Sequence, residues 1–161
     1  MHKSDHGLVR LGVDAASVVS EAQKLYADAQ REVPDAKLDG VLVQRMTKGL
    51  TEVIVGYRRD PEVGPVIVLG AGGIAAELKK SISVRVAPVS LDEAVAMLDE
   101  VPELGVLKGY RRLPKGDVMA LARTVRALSL LALGGDHIRE AEINPLLVRE
   151  EGADVAAIDA L

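Results

Sequence analysis

The 161-residue sequence contains no cysteine, phenylalanine or tryptophan, and three tyrosines are its only aromatic side chains. Without cysteine there is no disulfide, thiol nucleophile or zinc–thiolate site. So few aromatic rings argue against a stacking platform for single-stranded nucleic acid. The net charge of −4 argues against a broad contact with a phosphate backbone. We therefore expect no nucleic-acid partner.

Long apolar runs are also lacking. No N-terminal stretch resembles a signal peptide, and none approaches the roughly 20 consecutive apolar residues of a membrane span. Apolar residues make up 48% of the chain and charged residues 27%, which is an ordinary balance for a soluble globular protein. We therefore expect a cytoplasmic protein with no membrane partner. Since no repeat or low-complexity linker divides the sequence, a single domain is expected over residues 1–161.

Hydrophobic periodicity and turn residues predict an α+β fold, with a mostly antiparallel sheet and helices packed on one side. Asp14 is expected to cap the first helix, and Ser90 with Glu93 forms a capping box for the second. The expected strands are 7–13, 40–46, 52–58, 65–69, 82–87, 139–148 and 154–159, and the expected helices are 15–32, 90–98, 103–107 and 115–133.

Two strand features carry specific expectations. The runs 40–46 and 52–58 are typical of a hairpin, in which Arg45 faces Glu52 as a cross-strand ion pair. In the strand over 82–87, apolar residues alternate with Ser83 and Arg85. This alternation predicts that one face of the strand is in contact with solvent.

The last hairpin could hold a metal ion. If its turn centres just before Gly152, Asn144 lies directly opposite Asp159, and Glu142 shares their face. Carboxylate and amide oxygens are the ligands that Mg²⁺ prefers. Pro145 is typical of an edge strand with a solvated polar face, and spacing alone favours this interpretation over the metal site while leaving both open.

A second candidate is the strand that runs from Pro65 into Gly70, Gly72 and Gly73. Glycines after a strand allow backbone N–H groups to turn toward an anion. The run is not a Walker A loop and lacks the full dinucleotide-binding pattern. A tight chain reversal without a ligand is an alternative of equal weight.

The N-terminal residues His2-Lys3-Ser4-Asp5-His6-Gly7 are a third candidate. His2 could act as a nucleophile and Lys3 could pair with a phosphate. A free terminus of this kind is often frayed or derived from a vector, so this alternative stays open.

The order of these motifs resembles one family. The segments HKSDHG, GVLVQRM, EVIVGYRRDPEVGPVIVLGAGGIAAE, VRVAP and EINPLLV with AAIDAL together resemble the ATP-grasp module of ADP-forming acyl-CoA synthetases. They are also similar to the β chain of succinyl-CoA synthetase. The resemblance covers nearly the whole chain and implies the C-terminal part of an ATP-grasp fold.

The resemblance implies an acid–thiol ligase, which interconverts acyl-CoA, ADP and phosphate with the free acid, CoA and ATP through phosphohistidine. ATP or ADP and Mg²⁺ are the implied cofactors. By position in the family motifs, His2 would carry a phosphoryl group. The implied nucleotide-binding residues are Lys3, Gln44, Met46, Glu52, Gly70, Gly72 and Gly73, and the implied metal residues are Glu142, Asn144 and Asp159.

Relative to this family, the chain is expected to be part of an enzyme. The N-terminal ATP-grasp subdomain and the CoA-binding domains would be supplied by the rest of the same enzyme, as further domains or as a subunit. Apolar surface normally covered by those parts makes a homo-oligomer possible. Two alternatives remain: a degenerate, non-catalytic module for nucleotide sensing or docking, and a piece of an acyl-CoA synthetase-like protein fused to an acyltransferase.

Overall fold

The computed structural model describes residues 7–73, 81–109 and 113–161. The chain divides into two compact units, Met1–Thr47 and Lys48–Leu161, which are described separately below. The expectation that residues 1–161 form one partial ATP-grasp domain stays a prediction.

The first unit contains one regular element among its described residues, helix α1 (Val18–Glu32). The helix begins three residues later than predicted, because Asp14 caps the preceding turn instead: its carboxylate accepts the Ser17 N–H at 2.8 Å and the Ser17 hydroxyl at 2.7 Å. These hydrogen bonds lower the pKa of Asp14. The predicted strands over 7–13 and 40–46 are wrong, since both segments lack ladder partners among the described residues.

The second unit is built on a five-stranded antiparallel sheet in the order β3-β2-β1-β4-β5. The predicted α+β class is therefore confirmed. The predicted hairpin of Arg45 with Glu52 is wrong, because the neighbours of β1 are β2 and β4. The strands are β1 (Thr51–Asp60), β2 (Gly64–Ala71), β3 (Ile82–Val86), β4 (Glu140–Val148) and β5 (Val155–Ala157).

Helices cover one face of this sheet. They are α2 (Leu91–Asp99), a 3-10 helix (Pro102–Lys108), α3 (Val118–Ser129) and a second 3-10 helix (Leu130–His137). The odd-numbered residues of β1, with Tyr57 at the centre, point into the core, and Leu121 of α3 is fully buried there. All the predicted helices of this unit are present, and the last one continues in 3-10 form to a kink at Gly135.

The run Val118–His137 is long and apolar enough to cross a membrane by length and composition alone. Its apolar side is used in the core, because Ala120, Leu121, Ala122 and Val125 are buried against the sheet and α2. The first part of this run therefore belongs to the core, whereas Leu130 and Leu133 in its second part are exposed.

The capping box at the start of α2 is present as predicted. The Ser90 hydroxyl accepts the Glu93 N–H at 3.2 Å, and the Glu93 carboxylate accepts the Ser90 N–H at 2.8 Å. The Ser90 backbone and side-chain bonds lower the pKa of Glu93. We expect Ser90→Ala to lower the free energy of unfolding by about 1 kcal/mol, measured by urea denaturation. A stability equal to that of the parent protein would contradict this role.

One face of β3 is exposed, as predicted, and it is the apolar face. Ser83 is buried and donates its hydroxyl to Glu100 at 2.6 Å, and Arg85 pairs with the same carboxylate. These bonds provide hydrogen-bond partners for the two polar side chains on the face that the helices cover. Because side chains alternate along a strand, the apolar side chains lie on the opposite, open face. The exposed residues of β3 are Ile82, Val84 and Val86.

Candidate functional site

The C-terminal hairpin has the predicted register. Leu146 pairs with Ala157 and Val148 with Val155. The same register continues past the end of β5, where the Asn144 N–H donates to the Asp159 carbonyl at 3.0 Å. Asn144 and Asp159 are therefore opposite one another, as the turn position predicted.

Three polar residues lie at this part of the hairpin. The Asn144 Nδ2 donates to Glu142 Oε1 at 3.0 Å, so these two side chains share one face. An ionised carboxylate only accepts hydrogen bonds, which orients the Asn144 amide nitrogen toward Glu142 and its oxygen away from it. Asp159, on the opposite strand segment, accepts the Ala160 N–H at 3.1 Å.

Local backbone features make room for this group. β4 gains one residue relative to β1 between the pairs Val53–Leu146 and Val55–Ile143, which places Asn144 and Pro145 in a bulge. Gly56 of β1 lies beside Glu142 in the ladder, and a methyl group there would be 4.0 Å from Glu142 Oε2. The Glu142 carboxylate therefore lies over a residue without a side chain.

The hairpin turn is held by Asp117, a residue that the sequence reasoning missed. Its Oδ1 accepts the Ala120 N–H at 2.9 Å and so caps α3, while its Oδ2 accepts the N–H groups of Gly152 and Asp154, each at 3.1 Å. One buried carboxylate thereby joins the α3 N-terminus to the turn between β4 and β5. An aspartate directly before a stretch with helical apolar spacing is a recognised N-cap pattern, so the helix cap could have been predicted. No sequence pattern indicated the hydrogen bonds to the Gly152 turn.

The environment of Asp117 favours its charged form. The hydrogen bond from Ala120, together with those from Asp154 and Gly152, lowers the pKa of Asp117, although burial acts in the opposite direction. The side chain is 8% exposed. Asp117 is therefore ionised at neutral pH and fixes the turn as an anion.

The three predicted loop glycines have different surroundings. Gly70 is buried within β2, where a methyl group would lie 3.2 Å from the side chain of Ile82. Gly72 donates its N–H to the Glu52 carbonyl at 2.8 Å, and a methyl group there would lie 2.9 Å from the Glu52 carbonyl carbon. Gly73 is exposed at φ +69°. Close packing explains why residues 70 and 72 are glycine, and the positive φ explains why residue 73 is glycine.

Glu52 lies between the glycine loop and the hairpin. Its backbone carbonyl accepts the Gly72 N–H, and its side-chain Oε2 would be 3.1 Å from a methyl group at Gly73. In the other direction, Glu52 pairs with Leu147 of β4. Glu52 and Gly56 are on the same face of β1, because they are four residues apart in a strand. The loop and the polar hairpin side chains therefore lie on one open face.

The remaining predicted residues are His2, Lys3, Gln44 and Met46. His2 and Lys3 lie outside the described residues. Gln44 and Met46 belong to the first unit, in a stretch without regular secondary structure where Met46 is exposed.

In the described part of the chain, no group of three or more His, Cys, Asp or Glu side chains could hold a metal ion. The hairpin offers two carboxylates, and its third oxygen comes from an amide. The predicted metal set therefore depends on Asn144 as much as on Glu142 and Asp159.

Comparison with known proteins identifies a family for the whole chain. Residues 1–161 match the ATP-grasp domain family. The chain is 37% identical over 161 residues to the β subunit of acetate–CoA ligase (ADP-forming) I from Pyrococcus furiosus, covering 99% of this chain and 68% of that subunit. It is also 37% identical over 152 residues to acetate–CoA ligase (ADP-forming) I from Archaeoglobus fulgidus, covering 94% of this chain but 22% of that protein.

Solved structures agree with this grouping. A dinucleotide-forming acetyl-coenzyme A synthetase 1 from Candidatus Korarchaeum cryptofilum, in complex with coenzyme A and Ca-AMPCP, has a TM-score of 0.90 at 30% identity, covering 99% of this chain and 69% of that one. A Pyrococcus horikoshii protein has a TM-score of 0.89 at 30% identity, with coverages of 99% and 68%.

The chain thus spans about two thirds of the β subunits and under a quarter of the longer ligases that it matches. The match extends over all the motifs that carried the resemblance, from the N-terminal residues to the last hairpin. The chain belongs to the ATP-grasp domain family, in the group that includes the β subunits of ADP-forming acetate–CoA ligases.

Proposed function

We propose that the chain is the nucleotide- and Mg²⁺-binding part of an ADP-forming acyl-CoA synthetase. The observation that carries this proposal is the last hairpin, whose register sets Asn144 opposite Asp159 and whose Asn144 side chain is hydrogen-bonded to Glu142, in a chain 37% identical to a ligase β subunit. The enzyme would convert acyl-CoA, ADP and phosphate to the acid, CoA and ATP.

The hairpin residues fit a magnesium ion by their chemistry. Two carboxylates and an amide oxygen are hard oxygen donors, and the bond from Asn144 Nδ2 to Glu142 leaves the amide oxygen directed elsewhere. Glu142, Asn144 and Asp159 would hold the ion. When bound, Mg²⁺ supplies neutralisation of the negative charge on the nucleotide phosphates.

The other residues would position the nucleotide. The backbone around Gly72 and Gly73 would face the phosphates, with Gln44 and Met46 at the adenine and Lys3 at a phosphate. His2 would carry the phosphoryl group: in ATP synthesis the phosphorus–nitrogen bond breaks, a phosphorus–oxygen bond forms to the terminal phosphate of ADP, and neutral histidine is regenerated. This chemistry depends on positioning and charge neutralisation.

The partners of the chain would be the CoA-binding and ligase domains of the same enzyme, as a subunit or as further parts of one polypeptide. The relatives include both arrangements, since the matched proteins are named as a separate β subunit in one case and as a full ligase in another. Self-association and a cytoplasmic location stay predictions.

Calorimetric titration of Mg·ADP and Mg·ATP into this chain tests the proposal. We expect saturable, single-site binding that weakens strongly in EDTA, and weaker binding of AMP because AMP lacks the phosphates that the loop and the metal would contact. Absence of binding at about 1 mM nucleotide, where binding free energies are near −4 kcal/mol, would contradict the proposal and favour a degenerate docking module.

A further inference from the structure

Strand β3 is an edge of the sheet, and its outer side has free backbone groups. Among the described strands, β3 pairs only with β2. Backbone groups alternate in direction along an antiparallel strand, and just after β3 the Ala87 N–H donates to the Pro65 carbonyl at 2.8 Å. Residues an odd number of positions before Ala87 therefore direct their N–H and C=O groups away from β2. Within the strand, these residues are Ile82, Val84 and Val86.

The same three residues carry the exposed apolar side chains of β3. Ile82 is 59% exposed, Val84 43% and Val86 63%. An exposed, apolar edge strand is a template for pairing with a further strand. The Arg85 side chain pairs with Glu100 on the face that the helices cover, so it does not interrupt the apolar row. The open face of this edge is therefore aliphatic along the whole strand.

We propose that a second copy of this chain pairs antiparallel with the free edge of β3, with Val84 opposite Val84 of the other copy. In this register Ile82 faces Val86 of the other copy, so every outward-directed residue gains both a backbone partner and an apolar cross-strand neighbour. The contact is two-fold, because each copy uses the same surface. It joins two five-stranded sheets into one continuous sheet.

Charge and length select this register over its neighbours. An axis at Arg85 would place the two Arg85 side chains opposite one another, where like charges repel, and an axis at Ser83 would leave Val86 unpaired. In the proposed register, Arg85 faces Ser83 of the other copy, whose hydroxyl donates to Glu100 at 2.6 Å. Each guanidinium therefore lies near an acid of the other copy. The Val84 carbonyl accepts Arg85 Nη1 at 2.9 Å and keeps a second lone pair for the other copy.

Disulfide trapping tests the register, because the chain contains no cysteine. Val84→Cys places its single thiol opposite that of the other copy, at a Cα separation of about 5.5 Å, which a disulfide spans. Val86→Cys is the matched control from the same exposed row, since its two thiols lie about 14 Å apart along the strands. Each variant is oxidised with copper–phenanthroline and analysed by non-reducing electrophoresis, and its thermal midpoint verifies folding.

We expect Val84→Cys to form a covalent dimer of twice the 17.1 kDa chain mass. Val86→Cys alone should stay monomeric, whereas a mixture of Val86→Cys with Ile82→Cys should cross-link, because these two positions face one another. Equal cross-linking of Val84→Cys and Val86→Cys, or none in Val84→Cys, overturns the inference.

Sedimentation equilibrium tests the association without a cross-link. We expect the parent chain to dimerise with a dissociation constant below about 1 mM. Val84→Lys and Val84→Glu should each raise this constant at least about fivefold, because residue 84 meets its own copy and like charges repel. An equimolar mixture of the two variants should restore pairing. The matched control Val63→Lys, at an exposed valine in the turn between β1 and β2, should leave the constant unchanged.

Two results would overturn the inference: a parent chain that stays monomeric at about 1 mM, or a mixture that associates no better than either charged variant alone. The proposed function would stand in both cases, since nucleotide binding does not depend on the β3 edge and is measured separately by calorimetry.

Discussion

Asp117→Ala is expected to lower the free energy of unfolding by about 2–3 kcal/mol. The substitution removes the cap of α3, which contributes about 1 kcal/mol. It also leaves the N–H groups of Gly152 and Asp154 without their charged acceptor, at about 1–2 kcal/mol. Urea denaturation followed by circular dichroism measures the loss.

Asp117→Ser separates the two contributions, because serine is also a favoured cap but is too short to reach the hairpin turn. We expect it to recover about 1 kcal/mol relative to Asp117→Ala. Equal stabilities of the parent protein and Asp117→Ala would show that the buried carboxylate does not brace the turn.

The effect of Asp117→Ala depends on pH. The folded-state pKa of Asp117 is lowered, so its contribution is fully present above the unfolded-state pKa of about 3.9 and is lost as the pH falls through the folded-state value. The stability difference between the parent protein and Asp117→Ala should therefore be constant near neutrality and shrink below about pH 4. A difference that grows in acid would contradict the charged role.

The double substitution Asn144→Ala/Asp159→Ala is expected to remove the Mg²⁺ dependence of ADP binding. Each change deletes one of the oxygen donors that the hairpin register brings together, which leaves Glu142 alone. The affinity for ADP in Mg²⁺ should then fall at least about tenfold, the equivalent of about 1.4 kcal/mol, toward the value in EDTA. Calorimetry with and without Mg²⁺ measures both values.

The matched control is Glu140→Ala, which removes an exposed acid from the same strand, opposite Arg58 in the ladder. It should leave the effect of Mg²⁺ intact. If the double variant still responds to Mg²⁺ like the parent chain, the ion binds elsewhere and the hairpin assignment is wrong.

The sequence was most informative where a structure depends on neighbours along the chain. The capping box of Ser90 and Glu93 and the turn before Gly152 are local, and the turn determines which residue faces Asn144. From that one turn, the opposition of Asn144 and Asp159 could be predicted without any knowledge of the remaining sheet.

Features that depend on distant partners were misassigned. The run 40–46 consists of residues with high strand propensity. Such propensity shows only that the side chains suit a half-buried sheet surface, and a strand also needs a neighbouring strand to pair with. The alternation over 82–87 did not reveal which face of the strand is exposed, because Glu100 at the end of α2 pairs with both Ser83 and Arg85. The second contact of Asp117, to the turn of the last hairpin, could not be predicted for the same reason.

The hairpin register has an evolutionary consequence for this family. Successive side chains in a strand alternate between faces, so one residue added between Val148 and Val155 would turn Asp159 away from Asn144. The length of this turn is therefore under the same selection as the oxygen donors themselves, although none of its residues contributes a donor. Among relatives that retain the site, insertions in this turn should add an even number of residues or be accompanied by a compensating bulge.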